Sequence, residues 1–365
     1  MLPNIGHRQV QELYNILDGD ISLLFQPDSW RELPNLPPAI MEELRSGRAL
    51  QRAEQELAYV EKEHLSIFFR DDPDYPPRLK ACPDAPLLMY LRGTVNLNPG
   101  KVLSVVGTRK LSSLGRCYCE DLVAELARAC PGLLIVSGLA YGADVCAHRA
   151  ALANGLPTLA VVAHGQDSVY PAAHRSVLRE ILAAGGGMLS EFPHGTEAFK
   201  SHFVQRNRIV AGLSDACVVI ESPEKGGSLI TARMARDYDR EVFAFPGRPI
   251  DENSRGCNKL IKQQIACLIE SAEDLLRELN WDAASKPKSL QTQLFANLSE
   301  KETALLSLME AGKKYEAQDL LGLCLVRGES CARHIGDVLS ILLLLEMNQA
   351  VIALPGGLYQ RRQSR

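Results

Sequence analysis

The stretch Val102-Leu103-Ser104-Val105-Val106-Gly107-Thr108-Arg109-Lys110 decides the fold. Five residues, apolar except for Ser104, run to a glycine without the alternation of a half-solvated strand, as a strand buried on both faces must. A polar turn then passes Ser112 and Ser113 into a helix expected to begin near Gly115. The same unit recurs along residues 101–271. Candidate strands fall at 102–106, 133–137, 158–163, 188–191, 216–221 and 241–246, with a weaker one at 266–269. Between them Leu122, Val123 and Leu126 recur at helical spacing, as do Leu178, Ile181 and Leu182. This order predicts an α/β fold, a Rossmann-like doubly wound parallel sheet.

The flanks differ in pattern. The first 65 or so residues read as short helices: Leu2-Pro3-Asn4-Ile5-Gly6 precedes the periodic Val10, Leu13, Tyr14 and Leu17, and Leu33-Pro34-Asn35-Leu36-Pro37 precedes Ile40, Met41 and Leu44. The two copies suit a degenerate helix-hairpin-helix pair whose turns would offer N–H groups to a phosphate, or a small helical packing domain. The second copy has lost its glycine. At the other end, Lys286-Pro287-Lys288-Ser289 reads as a linker. Helical periodicity at 302–309 and 332–346 is followed by Ala350-Val351-Ile352-Ala353-Leu354, a Pro355-Gly356-Gly357 turn and Leu358-Tyr359. Helices before a small hairpin describe a winged helix, which enters DNA grooves or docks proteins. The expected domains are 1–70, helical; 71–285, Rossmann-like; and 286–365, linker and winged helix. The basic end at 360–365 reads as solvated surface.

Composition bounds the rest. A chain of 365 residues suits two or three folded units, and 46% hydrophobic with 23% charged residues is a globular balance. The formal net charge of −4 excludes a chain-wide basic excess, so any polyanion site must be local. The 10 cysteines lack zinc-ligand spacing, and free thiols are expected. Met1-Leu2-Pro3-Asn4 does not begin a secretory signal, and the apolar run at 341–345 is too short to cross a bilayer. A soluble cytoplasmic protein without membrane contact is expected.

Several strand exits share one chemistry. Gly107 permits close backbone approach, Thr108 follows, and Arg109 offers a planar fork for phosphate oxygens, while the next helix would present unpaired N–H groups. Ser137-Gly138-Leu139-Ala140-Tyr141-Gly142-Ala143-Asp144 makes a second strand-to-helix turn, with His148 one helical turn on as a packed core histidine. In Lys200-Ser201-His202-Phe203-Val204-Gln205-Arg206-Asn207-Arg208, helical spacing puts Lys200, Phe203 and Asn207 on one face. That face offers a cation for phosphate, a ring for a base and an amide, with Arg206 and Arg208 beside it. Gly226-Gly227-Ser228 opens another helix, and Phe245-Pro246-Gly247 ends another strand. Together these predict an elongated binding edge. Neither Gly-x-Gly-x-x-Gly nor a Walker loop is present, nor a nucleophile elbow, His-Glu-x-x-His or evident carboxylate pair. The expectation is a binding protein with no cofactor, no metal and no catalytic residue.

In order and spacing, Tyr75-Pro76-Pro77-Arg78-Leu79, Val106-Gly107-Thr108-Arg109, Ser137 to Asp144 with Ala147-His148, Tyr170-Pro171, Ser190-Glu191, Arg206 to Ser214, Gly227-Ser228-Leu229-Ile230-Thr231-Ala232 and Pro246-Gly247 closely resemble the DprA/Smf family, DNA-processing protein A. The resemblance spans residues 71–279 and extends to the helical start and winged-helix end. It implies a protein that binds and protects single-stranded DNA and loads the RecA recombinase onto it in natural transformation, as a homodimer through the Rossmann domain. It assigns phosphate binding to Arg109 and strand contacts to Lys200 and Phe203. Val204, His174 and Gly226 depart from the family's usual Pro, Asn and Ser.

Two other readings follow from the same residues. A nucleoside-monophosphate phosphoribohydrolase of the lysine-decarboxylase-like group would need Pro-Gly-Gly-x-Gly-Thr-x-x-Glu, and Thr231 stands at that Glu position. A transcriptional regulator acting through the winged helix would prefer duplex DNA.

Overall fold

Val102–Val106 is an inner strand of a nine-stranded sheet, with all five residues buried. The computed structural model describes residues 7–26, 38–281, 299–310, 313–327, 332–347, 350–354 and 357–361. The turns expected at 2–6 and 33–37, the linker at 286–289, the turn at 355–356 and the tail at 362–365 lie outside them. The chain divides into a unit of residues 1–281 and another of 282–365.

The first unit opens with α1 (His7–Ile16), α2 (Pro38–Arg45) and α3 (Arg48–Lys62), then β1 (Ser66–Phe69), α4 (Pro77–Lys80) and β2 (Leu88–Gly93). Strands and helices then alternate through β3 (Val102–Val106), α5 (Ser113–Ala129), β4 (Leu134–Ser137), α6 (Ala143–Ala153), β5 (Thr158–Val161), α7 (Arg175–Ala183) and β6 (Gly187–Ser190). The series continues with α8 (Lys200–Leu213), β7 (Ala216–Val219), α9 (Ser228–Asp237), β8 (Glu241–Ala244), α10 (Arg255–Lys262), β9 (Cys267–Leu268) and α11 (Ala272–Glu278). The sheet order is β1-β2-β6-β5-β4-β3-β7-β8-β9. From β6 to β9 every pairing is parallel; β1 and β2 join antiparallel at one edge. The parallel, doubly wound sheet is therefore present, and the antiparallel pair is an addition that the strand pattern did not foresee.

Alternation within each strand builds two cores. Val102 and Val106 face one side with Val136, Val219, Ile209 and Leu213; Leu103 and Val105 face the other with Ile135, Val218, Leu122 and Leu126. Ser104 is tolerated inside because its hydroxyl lies 3.0 Å from that of Ser214 and 3.3 Å from the Ala216 carbonyl. Each fully buried aliphatic side chain contributes about 1.5–3 kcal/mol. The N-terminal helices have a small cluster of Leu17, Leu24, Ile40 and Leu44, and Val60 of α3 packs against Tyr90 of β2.

In the second unit, α12 (Glu300–Ser307), β10 (Lys314–Glu316), α13 (Ala317–Arg327) and α14 (Ile335–Met347) precede the hairpin of β11 (Val351–Leu354) and β12 (Leu358–Arg361). The antiparallel sheet has the order β10-β12-β11, and Leu305, Leu320, Leu342 and Leu345 are at the centre of its core. Ser299 and Glu302 form a capping box at the start of α12. Among the described residues, no helix is long and apolar enough to cross a membrane.

Candidate functional site

The chain winds outward from β3 through β4, β5 and β6, then returns to β3's other side as β7. Ligands of such sheets lie beyond the carboxyl ends of the strands where the winding reverses. A cleft of about 710 Å³ opens there, lined by residues 106–109 after β3, Gly138 and Ala140 after β4, Tyr170, one face of α8, and residues 225–228 before α9.

The loop after β3 is fixed by its backbone. Thr108 N–H donates to the Glu221 carbonyl (2.7 Å), and the Thr108 carbonyl accepts from Ala143 N–H (3.1 Å). A Cβ on Gly107 would come within 2.6 Å of the Ala143 Cβ, and Gly142, at φ +77°, brings its own backbone against the Thr108 carbonyl. Arg109 is thereby held at the surface with its guanidinium carbon 5.3 Å from the centre of the Phe203 ring. Tyr170 meets that ring from the β5 loop at 5.6 Å and 59°. Helical spacing puts Lys200, Phe203 and Asn207 on the cleft side of α8, as the sequence predicts.

Five charged residues line the cleft: Arg109, Lys200, Arg206 and Lys225 against Asp144. A chain of net charge −4 thus keeps a local positive surface. Arg109, Lys200 and Lys225 are exposed, and none has a salt bridge among the described residues. Burial raises the Asp144 pKa, while the Arg206 charge opposes the rise.

The neighbouring arginines have other roles than their sequence position suggests. Arg206 is 4% exposed and lies against Gly138, donating to the Val161 carbonyl beneath the cleft. Arg208 is not brought to the cleft at all. It is 2% exposed and binds the Glu191 carboxylate and the Asp84 carbonyl on the far side of α8. A Cβ at Gly138 would stand 1.8 Å from an Arg206 nitrogen. Gly138→Ala is therefore expected to cost about 1–3 kcal/mol by overpacking, and less when Arg206 is also replaced by Met. Urea unfolding of the double-mutant cycle measures the difference.

Of the helix starts at this edge, those of α5 and α6 are closed, while α8, whose Lys200 lines the cleft, and α9 have no side-chain cap. At α5, expected to present unpaired N–H groups, Ser112 caps Gly115 N–H, and the Glu221 carboxylate accepts from both the N–H and the hydroxyl of Ser112. At α6, Ala143 N–H is taken by Thr108 and the Asp144 carboxylate accepts from Ala140 N–H (3.3 Å). The start of α9 has no side-chain cap, and the space where a Gly227 Cβ would stand is open. Ser228 is turned inward, its hydroxyl donating to that of Ser222 (2.9 Å).

The loop at 245–247 folds onto α10, with Gly247 N–H on Asn258, and lies outside the cleft lining. His148 is a core histidine, its Nδ1 2.7 Å from the Thr158 hydroxyl, and burial lowers its pKa to about 3. Sequence reasoning gave no binding role to Tyr170, named only within the Tyr170-Pro171 motif, or to Lys225. The only signal for Tyr170 was its place beside Pro171, and for Lys225 its place before Gly226-Gly227.

A family model for DNA recombination-mediator protein A matches residues 66–280. Protein Smf of Escherichia coli is 32% identical over 318 residues, covering 85% of this chain and 81% of that protein. DNA processing protein DprA of Streptococcus pneumoniae is 38% identical over 229 residues, covering 61% and 79%. The X-ray structure of DNA processing protein A from S. pneumoniae matches with a TM-score of 0.63 and 33% identity, over 75% of this chain and 94% of that one. A structure of DNA processing protein A from Helicobacter pylori, described for its unique single-stranded DNA binding mode, matches with a TM-score of 0.53 and 29% identity, over 59% and 95%.

Proposed function

The chain belongs to the DprA/Smf family of DNA recombination-mediator proteins, and from that premise we propose that it binds single-stranded DNA along the cleft edge. Its role lies in DNA processing and recombination. The observation that carries the reading is Phe203, flanked by the Arg109 guanidinium and the Tyr170 ring beside two further cations. A base stacks on such a ring whatever its identity, while cations neutralise the phosphates between bases. Arg109, Lys200, Lys225 and the N–H groups at Gly227 and Ser228 take phosphates. Phe203 and Tyr170 take bases, Asn207 an edge or sugar, and Gly107, Thr108 and Gly138 let the strand approach. Arg206 supports the floor.

The proposal extends to protection of the strand, loading of RecA in natural transformation, a homodimer and a cytoplasmic location, all supported by family membership. It takes residues 1–70 as a helical domain of helix-hairpin-helix or SAM-like type and 286–365 as a linker and winged helix. The element order α12-β10-α13-α14-β11-β12 supports the latter. Binding without catalysis is the reading adopted, and Thr231 in place of the phosphoribohydrolase Glu supports it.

The test is a fluorescence titration with a dT oligomer of about 16 nucleotides, as long as the largest site of an OB fold, against a duplex of equal length. The single strand is expected to bind more tightly. Lys200→Ala should weaken binding and reduce the slope of log K against log salt by about 0.7, one released counterion on a single strand. Equal duplex affinity with an unchanged Lys200→Ala slope sinks the assignment, and base release from AMP would replace it with the hydrolase.

A further inference from the structure

Helix α5 follows the first strand of the doubly wound series, and the start of that helix is where such folds seat a nucleotide pyrophosphate. In this chain a carboxylate from the opposite side of the winding reversal sits there instead. Glu221, two residues past β7 and 8% exposed, accepts from Ser112 N–H at 2.9 Å and from the Ser112 hydroxyl. Ser112 in turn accepts from Gly115 N–H at 2.9 Å. The fit has no slack, because a Cβ on Gly115 would come within 2.5 Å of the Glu221 carboxyl carbon. The same residue's carbonyl holds Thr108 N–H, so one side chain and one peptide group fix both the start of α5 and the loop presenting Arg109.

We propose that Glu221 is a specificity-determining residue, an internal anion that fills the α5 phosphate position and denies it to free nucleotides and inorganic phosphate. The positive end of the α5 dipole is already neutralised, and a phosphate entering there would meet a buried like charge at contact distance. Free phosphomonoesters therefore lose the seat that a Rossmann domain ordinarily gives them. Anion binding is left to the outer cations and the uncapped starts of α8 and α9, where a phosphate is held as one link of a chain. That last step rests on the single-strand reading above; the filled α5 position does not.

The experiment compares the full chain with Glu221→Ala and Glu221→Asp. Thermal unfolding is followed in sodium phosphate and in sodium chloride at matched ionic strength, and dTMP binding is measured by calorimetry. A ligand that binds only the folded state stabilises it by RT ln(1 + L/Kd), where L is the free ligand concentration, so Tm climbs with the logarithm of that concentration above Kd. Glu221→Ala should gain a rise of Tm that grows with phosphate concentration beyond any rise in chloride, and bind dTMP at least tenfold more tightly than the parent. Glu221→Asp retains the charge and should gain neither. If Glu221→Ala is recovered unfolded, it is refolded from urea in each buffer, and recovery in phosphate alone is the expected result. An equal phosphate response in parent and Glu221→Ala, or refolding in neither buffer, overturns the proposal. The double variant with Arg109→Ala keeps the two readings apart. It should retain the phosphate response, whereas failure of the parent to bind the dT oligomer would remove the single-strand reading alone.

Discussion

Replacing Phe203 by alanine is expected to weaken binding of a dT oligomer by about 5- to 150-fold, the range that corresponds to about 1–3 kcal/mol for one stacked base. The ring is half-buried rather than sunk in the core. Its loss thus removes a platform without opening a large cavity, and the protein should unfold at nearly its original temperature. Arg109→Ala should act on the same scale for a different reason, the loss of a forked phosphate contact. The two changes should not add. Arg109 lies 5.3 Å from the Phe203 centroid, and this contact pre-sets the guanidinium for the strand. The double variant should therefore lose about 0.5–1 kcal/mol less than the sum, the size of an exposed cation–π pair. Arg109→Lys separates charge from shape: the salt slope should stay near the parent's while affinity falls, because an ammonium neither forks nor stacks. Additive losses would break the link between ring and guanidinium, and a change below twofold in Phe203→Ala would remove the stacking site.

How far the sequence discloses this arrangement depends on where each cause lies. Strands β3 to β8 were legible because parallel strands buried on both faces concentrate Val, Ile and Leu in short runs. Their predicted ends run long: 216–221 was expected where β7 is Ala216–Val219. Ile220 still bonds to Val106, but Glu221 turns away to Ser112, a contact across 109 residues of chain. Strands β1 and β2 escaped notice because β2 lies among prolines and pairs with β6, whose Ser190 is opposite Tyr90. On α8 the 3.6-residue period correctly grouped Lys200, Phe203 and Asn207. The same period could not reveal that Arg208 has a buried acid waiting on another element, since burial of a charge is decided by its partner. Tyr170 and Lys225 join the site only through the folding of distant loops. The anion site at α5 was misread because only the side-chain direction of Glu221 shows it to be filled.

Arg208 supplies the sharpest contrast between the two kinds of cation on α8. Its ion pair with Glu191 is almost fully enclosed, the side chains being 3% and 8% exposed. Removing one member leaves the other charge uncompensated in the core, so Arg208→Ala is expected to cost about 3–5 kcal/mol of stability, read from the urea midpoint. Strand affinity per folded molecule should stay unchanged, because the guanidinium does not reach the cleft. Glu191 makes the loss depend on pH. Burial raises its pKa and the Arg208 charge holds it down, so without Arg208 the folded-state pKa climbs further above the unfolded one. A raised carboxyl pKa contributes stability fully below the unfolded value and loses it as pH rises through the folded value. The deficit of Arg208→Ala should therefore be full and level above that raised folded pKa and shrink as pH falls below it. Replacing the pair together, with Arg208→Met and Glu191→Leu, should recover most of the lost stability, since two apolar groups leave no charge to desolvate. A stable Arg208→Ala that binds the strand poorly would return Arg208 to the interface; a deficit that does not vary with pH would remove Glu191 as its cause.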